Sequence, residues 1–326
     1  MKAIVQEGSG SPDVLKLREI ERPVVGDDDV LIRVRAASVN AMDCHLLKMP
    51  LAVRRLLGRG RRVLIPGVDL AGQVEAVGKN VTRFKPGDEV FADLFGRDQG
   101  AFAEYVCAPE KSFELMPAGM SFEDAATLPH SAILAVQGLR LRDGRTVQPG
   151  DKVLIDGASG NVGPFAVQIA KSFGAEVTGV CSAAKMDFVR SLGADHVLDY
   201  TKVDYTKTGE RYDWIVDTDS HHPILGIRRA LRPNGVYVTL GGTALPIFAA
   251  LLVGAVISKA TDKWMGLLIW WKPFKVEDVD TLKTLIAAGR VKPVIDRRFP
   301  LSEVVEALRY VDEGRASGKV VITVSA

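Results

Sequence analysis

VLIDGASGNVG, residues 153–163, is the stretch of sequence that decides the fold. An apolar run, Val153–Ile155, is followed by small residues with the spacing Ala158-x-Gly160-x-x-Gly163, and an apolar helical pattern comes next. This is the dinucleotide-binding fingerprint with alanine in the first glycine position. Small residues permit a tight turn, Gly160 lets backbone N–H groups approach a pyrophosphate, and Gly163 lets helix and strand pack closely. The stretch therefore predicts a nucleotide site, with a purely structural turn as the alternative.

Strand and helix patterns alternate on the carboxyl side of this loop. Helical patterns end at Gly174, Gly193 and Gly235, and each is followed by a short run rich in β-branched residues. This alternation is typical of βαβ units around a parallel sheet with right-handed crossovers. A helix that opens on Ser121 is predicted over residues 121–139.

The first third of the chain has a different pattern. Short β-branched runs alternate with glycine, proline and aspartate, which predicts a compact β domain. Two amphipathic helices and the strand GKVVITV, residues 318–324, are predicted near the C-terminus. This tail can return to the β domain and make that domain discontinuous.

The composition of the chain limits the kinds of partner that the protein binds and indicates its cellular compartment. The net charge is +2 in 326 residues, so no global field attracts nucleic acid. The three cysteines are far apart and lack CxxC spacing, which argues against disulfides and a structural zinc site and predicts a cytoplasmic protein. The apolar run Leu245–Ile257 has 13 residues, fewer than the ~20 that span a bilayer. It predicts a buried or interface-packed helix, with peripheral membrane contact as the alternative.

The second strand of the nucleotide unit indicates which cofactor binds. NAD sites usually place a carboxylate at its end to accept hydrogen bonds from the ribose 2′-OH. Here the strand ends at Ser182 without a carboxylate, and Lys185 follows. A hydroxyl and an ammonium group hold a 2′-phosphate, so we predict NADP(H). The alternative is that Lys185 only begins a solvated helix.

Several motifs together give the chain a family resemblance. They are SVNAMD, IPGVDLAGQVEAVG, KPGDEVF, GASGNVG, LGADHVLDY, RPNGVYVTLGG and ASGKVVITV. With them, nearly the whole chain resembles the medium-chain dehydrogenase/reductase superfamily, in its zinc-independent, quinone-oxidoreductase-like branch. The resemblance implies an α/β protein in which a doubly wound Rossmann domain, residues 123–272, is inserted in a β-rich, GroES-like catalytic domain formed by residues 1–122 and 273–326. Cofactor and substrate are expected in a cleft between the two domains.

The resemblance also implies roles for individual residues. The glycine loop is expected to bind the pyrophosphate, and Ser182 and Lys185 are expected to bind the 2′-phosphate. Asn40 is expected to face the nicotinamide ribose and the substrate. The implied cofactor-binding residues are Gly157, Ala158, Ser159, Gly160, Asn161, Val162, Gly163, Ser182, Lys185, Tyr200, Gly241 and Gly242.

The chain differs from the zinc-dependent relatives at the positions of their zinc ligands. Those relatives have a cysteine ligand at the position of Asn40, and a His-Glu pair after a glycine like Gly67. In this chain Val68 and Asp69 follow Gly67. Valine cannot ligate a metal and asparagine is a poor zinc ligand, so we expect no catalytic zinc.

Without a metal, reduction of an acceptor that is already electrophilic is the easiest chemistry to explain. The leading hypothesis is therefore an NADPH-dependent oxidoreductase that reduces quinones or α,β-unsaturated carbonyl compounds. Two alternatives are a zinc-independent alcohol or carbonyl dehydrogenase and a non-catalytic NADPH-binding sensor or structural protein. Asn40 is the expected catalytic positioning group, His45 and His130 are candidates for the substrate pocket, and Asp43 is expected to pair with an arginine.

Two further segments bear on partners. The basic run RRLLGRGRR, residues 54–62, lacks interleaved aromatic residues and indicates a solvated loop rather than a nucleic-acid site. Three tryptophans, Trp264, Trp270 and Trp271, follow the apolar run, and the resemblance implies that this region builds a homodimer. The expected ligands are small molecules.

Overall fold

The fold is given by a computed structural model. The structure describes residues 1–50, 63–95, 99–219, 221–242, 244–268 and 275–324. The chain divides into two compact units: unit 1 comprises residues 1–131, 273–275 and 293–326, and unit 2 comprises residues 132–272 and 276–292. Residues 276–292, which the sequence assigns to the catalytic domain, therefore belong to the second unit.

Unit 1 is built mainly from antiparallel strands. The strands are β1 (Lys2–Gln6), β2 (Leu15–Glu19), β3 (Asp29–Val39), β4 (Asp69–Val77), β5 (Glu89–Asp93), β6 (Tyr105–Pro109), β7 (Phe113–Leu115), β14 (Ile295–Pro300) and β15 (Lys319–Thr323). Apolar residues at alternate positions of β3, such as Val30, Ile32 and Val34, face one buried core because side chains alternate across a strand. The larger sheet has the order β14-β15-β3-β4-β5-β7, with β6 paired to β3, and β1 pairs separately with β2.

The C-terminal strand returns to the middle of this sheet. β15 pairs antiparallel with the end of β3, with Val320 opposite Val39, and β4 pairs with the same end of β3, with Asp69 opposite Ser38. The C-terminal end of β3 and the N-terminal ends of β4 and β15 therefore lie side by side. This register brings residues from three distant parts of the sequence together.

Unit 2 contains a sheet of parallel strands in the order β10-β9-β8-β11-β12-β13. This is the doubly wound order in which the first strand of each half is central. The structure confirms the predicted α/β fold class. The strands are β8 (Lys152–Asp156), β9 (Glu176–Cys181), β10 (His196–Asp199), β11 (Tyr212–Asp217), β12 (Leu231–Thr239) and β13 (Trp264–Leu267).

The helices follow the alternating pattern of the sequence. The α-helices are α1 (Ala41–Lys48), α2 (Phe122–Ala125), α3 (Pro129–Gly138), α4 (Gly163–Ser172), α5 (Met186–Ser191), α6 (Ile224–Ala230), α7 (Ala244–Ala260), α8 (Val276–Ala287) and α9 (Val304–Asp312). Short 3₁₀ helices cover Pro12–Val14, Glu110–Ser112, Ala183–Lys185, Tyr205–Lys207 and Leu301–Glu303. None of the helices within the described ranges has the length and hydropathy needed to cross a membrane.

Three sequence predictions need correction. The helix expected over residues 121–139 is two helices, because Pro129 cannot continue α2 and instead begins α3. The helix expected to end at Gly235 ends at Ala230, because Leu231 already pairs with Tyr212 in the sheet. The apolar run does form a helix, α7; of the two packings expected for it, a buried helix does not hold within this chain, since Leu245 is 80% and Leu252 69% exposed, while packing in an interface stays a prediction.

Candidate active site

Asn40 stands at the end of β3, where α1 begins. Its backbone N–H donates to Oδ2 of Asp43 at 2.8 Å, which satisfies a backbone donor at the helix start. Both residues are buried. Among the described residues no arginine pairs with Asp43, and the partner of its carboxyl group is the start of its own helix, so the predicted arginine pairing is not confirmed.

The side-chain amide of Asn40 is held from both ends. Its Nδ2 donates to Oδ2 of Asp69 at 2.9 Å, while its Oδ1 accepts from Nζ of Lys319 at 2.6 Å and from Oγ of Ser131 at 3.0 Å. Because the carboxylate only accepts and the ammonium only donates, these partners fix which end of the amide is oxygen. Asn40 is 2% exposed, so water does not compete for these bonds.

His130 lies in the first turn of α3 and joins the same group of side chains. Its backbone N–H donates to Oδ1 of Asp69 at 3.0 Å, and its Nδ1 lies 2.9 Å from Oδ2 of Asp93. Burial lowers the pKa of His130, but the nearby carboxylates of Asp93 and Asp69 outweigh burial and raise this pKa above its ordinary value. We call the set Asn40, Asp43, Asp69, Asp93, His130, Ser131 and Lys319 the polar cluster.

Burial shifts the pKa values of the other ionisable groups in the polar cluster. It raises the pKa of Asp43 to about 7, although the hydrogen bond from the Asn40 N–H opposes the shift. It raises the pKa of Asp69 to about 6, although the charge of Lys319 opposes the shift. It lowers the pKa of Lys319, against the carboxylates of Asp69 and Asp43. The cluster therefore holds groups that exchange protons near neutral pH.

The sequence missed three members of this cluster as site residues. In the sequence, Asp69 stands out only as a departure from a zinc motif, and Asp93 and Lys319 carry no signal that links them to Asn40. A lysine inside the β-branched run GKVVITV is an unusual residue for a buried strand, and this was the one available hint. Of the two histidine candidates, the structure brings His130 to the cluster, whereas His45 is exposed on α1.

The glycine loop in unit 2 joins β8 to α4. Gly157 has φ +78°, and a Cβ there would lie 2.2 Å from Oγ1 of Thr218. A Cβ on Gly163 would lie 2.3 Å from the carbonyl oxygen of Gly157. A Cβ on Gly160 would meet only that same oxygen, at 3.4 Å. Gly157 and Gly163 are thus required by packing, whereas the space around Gly160 is open for an approaching ligand.

One polar atom of this loop is unsatisfied. The Nδ2 of Asn161 is buried and, within the described parts of the chain, has no hydrogen-bond partner. A buried donor without an acceptor costs about 1–3 kcal/mol, and a ligand oxygen removes this cost. The open space at Gly160, the start of α4 and the unsatisfied donor fit the pyrophosphate of a dinucleotide.

The other predicted cofactor residues lie at the carboxyl ends of the parallel strands. Ser182 follows β9, and Lys185 lies in the 3₁₀ helix after it. Tyr200 follows β10, and its backbone N–H donates to the carbonyl of Cys181 at 3.1 Å. The backbone carbonyl of Gly241, after β12, accepts from Thr239 Oγ1; Gly242 is next. Ligands bind at this edge of open parallel sheets, so the predicted residues share one edge of the sheet.

Two buried carboxyl groups occupy the same edge. Asp156, directly before the loop, is the register partner of Asp217 on β11, and Tyr237 donates to Asp217 at 2.9 Å. Burial, together with Asp217 and Asp219, raises the pKa of Asp156 well above its usual range. Asp156 therefore holds its proton more tightly than an exposed aspartate does, and a protonated carboxyl group repels an anionic cofactor less than a carboxylate does.

Within the described ranges, no group of three or more His, Cys, Asp and Glu side chains is arranged to hold a metal ion. Val68, at the position of a histidine ligand in zinc enzymes, is fully buried. The basic run of residues 54–62, together with Trp270 and Trp271, lies outside the described residues.

Comparison with known proteins places this geometry in a family. The family profile described as "Alcohol dehydrogenase GroES-like domain" matches residues 26–118, and the one described as "Zinc-binding dehydrogenase" matches residues 192–322. A quinone-oxidoreductase homolog from Spinacia oleracea is 35% identical, covering 99% of this chain and 98% of the relative. An NADPH-dependent alkenal/one oxidoreductase from Arabidopsis thaliana is 33% identical, covering 99% of this chain and 79% of the relative.

A solved structure shows the same fold. The quinone oxidoreductase from Coxiella burnetii matches with a TM-score of 0.85 and 29% identity, covering 100% of this chain and 99% of the other. Extended similarity to oxidoreductases, together with the dinucleotide loop, implies a nicotinamide cofactor. The chain belongs to the medium-chain dehydrogenase/reductase superfamily, in its quinone-oxidoreductase-like branch, and is an oxidoreductase.

Proposed function

We propose that this oxidoreductase uses NADPH, without zinc, to reduce quinones or α,β-unsaturated carbonyl compounds. The observation that carries the proposal is the amide of Asn40. An amide nitrogen has two hydrogens, and among the described residues only Asp69 accepts one from Nδ2. The second hydrogen is available for an oxygen atom that gains negative charge during reduction.

The preference for NADPH is supported by the end of β9. Ser182 and Lys185 stand where NAD-type sites place a carboxylate, and a carboxylate would repel a 2′-phosphate. The residues that would hold the rest of the cofactor are those of the glycine loop, with Asn161 donating to an oxygen atom. The relative from Arabidopsis thaliana has an NADPH-dependent activity by name.

The polar cluster supplies the chemistry on the protein side. When bound, reduced cofactor supplies a hydride to the β-carbon of an enone or to a quinone, and solvent supplies the proton. Asn40 donates a hydrogen bond to the oxygen that receives the displaced π electrons. A preorganised donor of this kind contributes about 10²–10³-fold to the rate. A quinone or enone is electrophilic enough that a Lewis acid is not needed.

The experiment follows NADPH absorbance with a panel of quinones, enals, enones, aldehydes and alcohols, with and without a chelator. We expect turnover of quinones or enals that chelation does not change. Turnover restricted to aldehydes or alcohols would favour a carbonyl dehydrogenase. Tight NADPH binding without turnover of any acceptor would favour a sensor, and loss of activity on chelation would contradict the zinc-free mechanism.

We also propose that the protein forms a homodimer through α7. Its exposed apolar residues Leu245, Phe248, Leu252 and Val256 recur at helical spacing along one face, and exposed apolar faces of this kind mark interaction sites. β13, which packs against α7, is the last strand of the described sheet in unit 2. Sedimentation should give a dimer for the wild type and a monomer for Leu252→Lys; a monomeric wild type would contradict the proposal.

A further inference from the structure

Lys319 carries the only lysine ammonium of the polar cluster, and this ammonium is buried. It is 1% exposed, and a lysine almost never reaches full burial unless its charge is paired. A lysine that only balances charge would place its ammonium directly on a carboxylate. Here Nζ lies 2.6 Å from Oδ1 of Asn40 and 3.0 Å from Oγ of Ser131, but 3.6 Å from the nearer oxygen of Asp69. The shortest contact of the ammonium is therefore with the amide.

This contact determines what Asn40 can do. With Lys319 and Ser131 both donating to Oδ1, the carbonyl end of the amide is occupied. The side chain can then act on a ligand only through the second hydrogen of Nδ2. A cation on the carbonyl oxygen also draws electron density from the nitrogen, which makes that hydrogen a stronger donor.

We propose that Lys319 is a positioning residue for the reduction: it holds the Asn40 amide in the donating orientation and polarises it. The inference rests on the proposed function, because it assigns the second N–H of Asn40 to the reacting oxygen. Lys319 itself acts only through Asn40. The carboxyl groups of Asp69 on β4, Asp43 on α1 and Asp93 at the end of β5 favour the charged ammonium, whereas burial opposes it. His130, at the start of α3, is a second basic group in the cluster, and its charge and that of Lys319 disfavour each other.

The direct test observes the amide rather than the activity. The chain has asparagines only at positions 40, 80, 161 and 234, so protein labelled with ¹³Cγ and ¹⁵Nδ2 asparagine gives a simple spectrum, assigned with Asn40→Asp. In Lys319→Met we expect the Asn40 Cγ signal to move upfield because its carbonyl loses the charged donor, while the other three signals stay in place. An unmoved Asn40 signal would overturn the proposal.

The kinetic test separates positioning from stability. Lys319→Met should lower kcat by about 10–100-fold, whereas the KM of the acceptor and the Kd of NADPH change little, because the lost interaction matters in the transition state. Lys79→Met is the matched control. Lys79 also pairs with an aspartate, Asp27, at 2.8 Å in unit 1, but its side chain is 71% exposed, so its loss should leave kcat unchanged.

Lys319→Arg keeps the charge and supplies the second test, should the methionine variant unfold. Arginine does not lose its proton, whereas burial lowers the pKa of Lys319. The wild type should therefore lose kcat at alkaline pH, and Lys319→Arg should shift that loss to higher pH with partial retention of kcat. If the wild type is active, two results would overturn the role of Lys319 without touching the proposed function. One is an unchanged kcat in Lys319→Met, and the other is a loss of kcat at the same alkaline pH in Lys319→Arg as in the wild type. A wild type that reduces no acceptor would overturn the proposed function itself.

Discussion

The glycine loop of unit 2 and the polar cluster of unit 1 are built in opposite ways. The loop is one continuous segment, residues 157–163, in which backbone conformation and the absence of side chains create the site. The cluster consists of charged and polar side chains from separate segments, with Asn40 and Lys319 279 residues apart. A site that the backbone forms can therefore be predicted from local sequence, whereas a site that side chains form depends on the register of the sheet.

The largest expected effect tests the backbone side of this comparison. Gly163→Ala places its Cβ 2.3 Å from the Gly157 carbonyl oxygen and 2.6 Å from backbone atoms of Ala158. The backbone cannot shift there without strain, so we expect a stability loss of about 3 kcal/mol together with loss of NADPH binding. Calorimetry and NADPH titration measure both.

Gly160→Ala is the matched variant, because its Cβ would lie 3.4 Å from the nearest atom. It should keep the melting temperature and lose only affinity for NADPH. Equal losses of stability in the two variants would contradict the assignment of different roles to the two glycines.

The second prediction concerns the pH dependence of the cluster. The pKa of Asp43 is raised to about 7 by burial, so the folded state binds its proton more tightly than the unfolded state does. The resulting stabilisation is complete below pH ~4 and is lost as the pH rises through about 7, by an amount on the order of 4 kcal/mol. Asp43→Asn carries no charge and should flatten this fall. Urea denaturation from pH 4 to 8 measures it, and an identical slope in the variant would refute the assignment.

The third prediction separates chemistry from cofactor binding. Asn40→Ala should lower kcat by about 10²–10³-fold and leave the Kd of NADPH unchanged, since the glycine loop holds the cofactor. Ser131→Ala, which removes one of the two donors to Asn40 Oδ1, should lower kcat less. A large change in the Kd of NADPH in Asn40→Ala would contradict the assignment of cofactor binding to the glycine loop and of the chemistry to the polar cluster.

The smallest effect concerns the choice of cofactor. Lys185→Ala should weaken NADPH binding by about tenfold through loss of one charge-assisted contact, with little effect on NADH. Fluorescence titration with both cofactors gives the ratio. The interpretation fails if both affinities fall equally, because Lys185 would then be a structural residue of its 3₁₀ helix.

Local sequence predicted the parts of the fold that depend on local physics. The glycine loop, the strands around it and the returning strand at residues 319–323 follow from spacing and β-branched runs. The remaining features of the fold and the site depend on which strands pair with each other. Leu231 joined the sheet instead of α6 because Tyr212 lay opposite it. The partners of Asn40 could not be predicted from local sequence either, because Lys319 and Asp69 contact it only through the pairing of β15 and β4 with β3.

The most direct test of the proposed reduction is the fate of the hydride. NADPH carrying two deuterium atoms at C4 of its reduced ring is mixed with the enzyme and an α,β-unsaturated ketone in the presence of a chelator, and the product is examined by NMR and mass spectrometry. We expect one deuterium at the β-carbon of a saturated ketone. Deuterium at the carbonyl carbon of an unsaturated alcohol, or an unlabelled product, would contradict it.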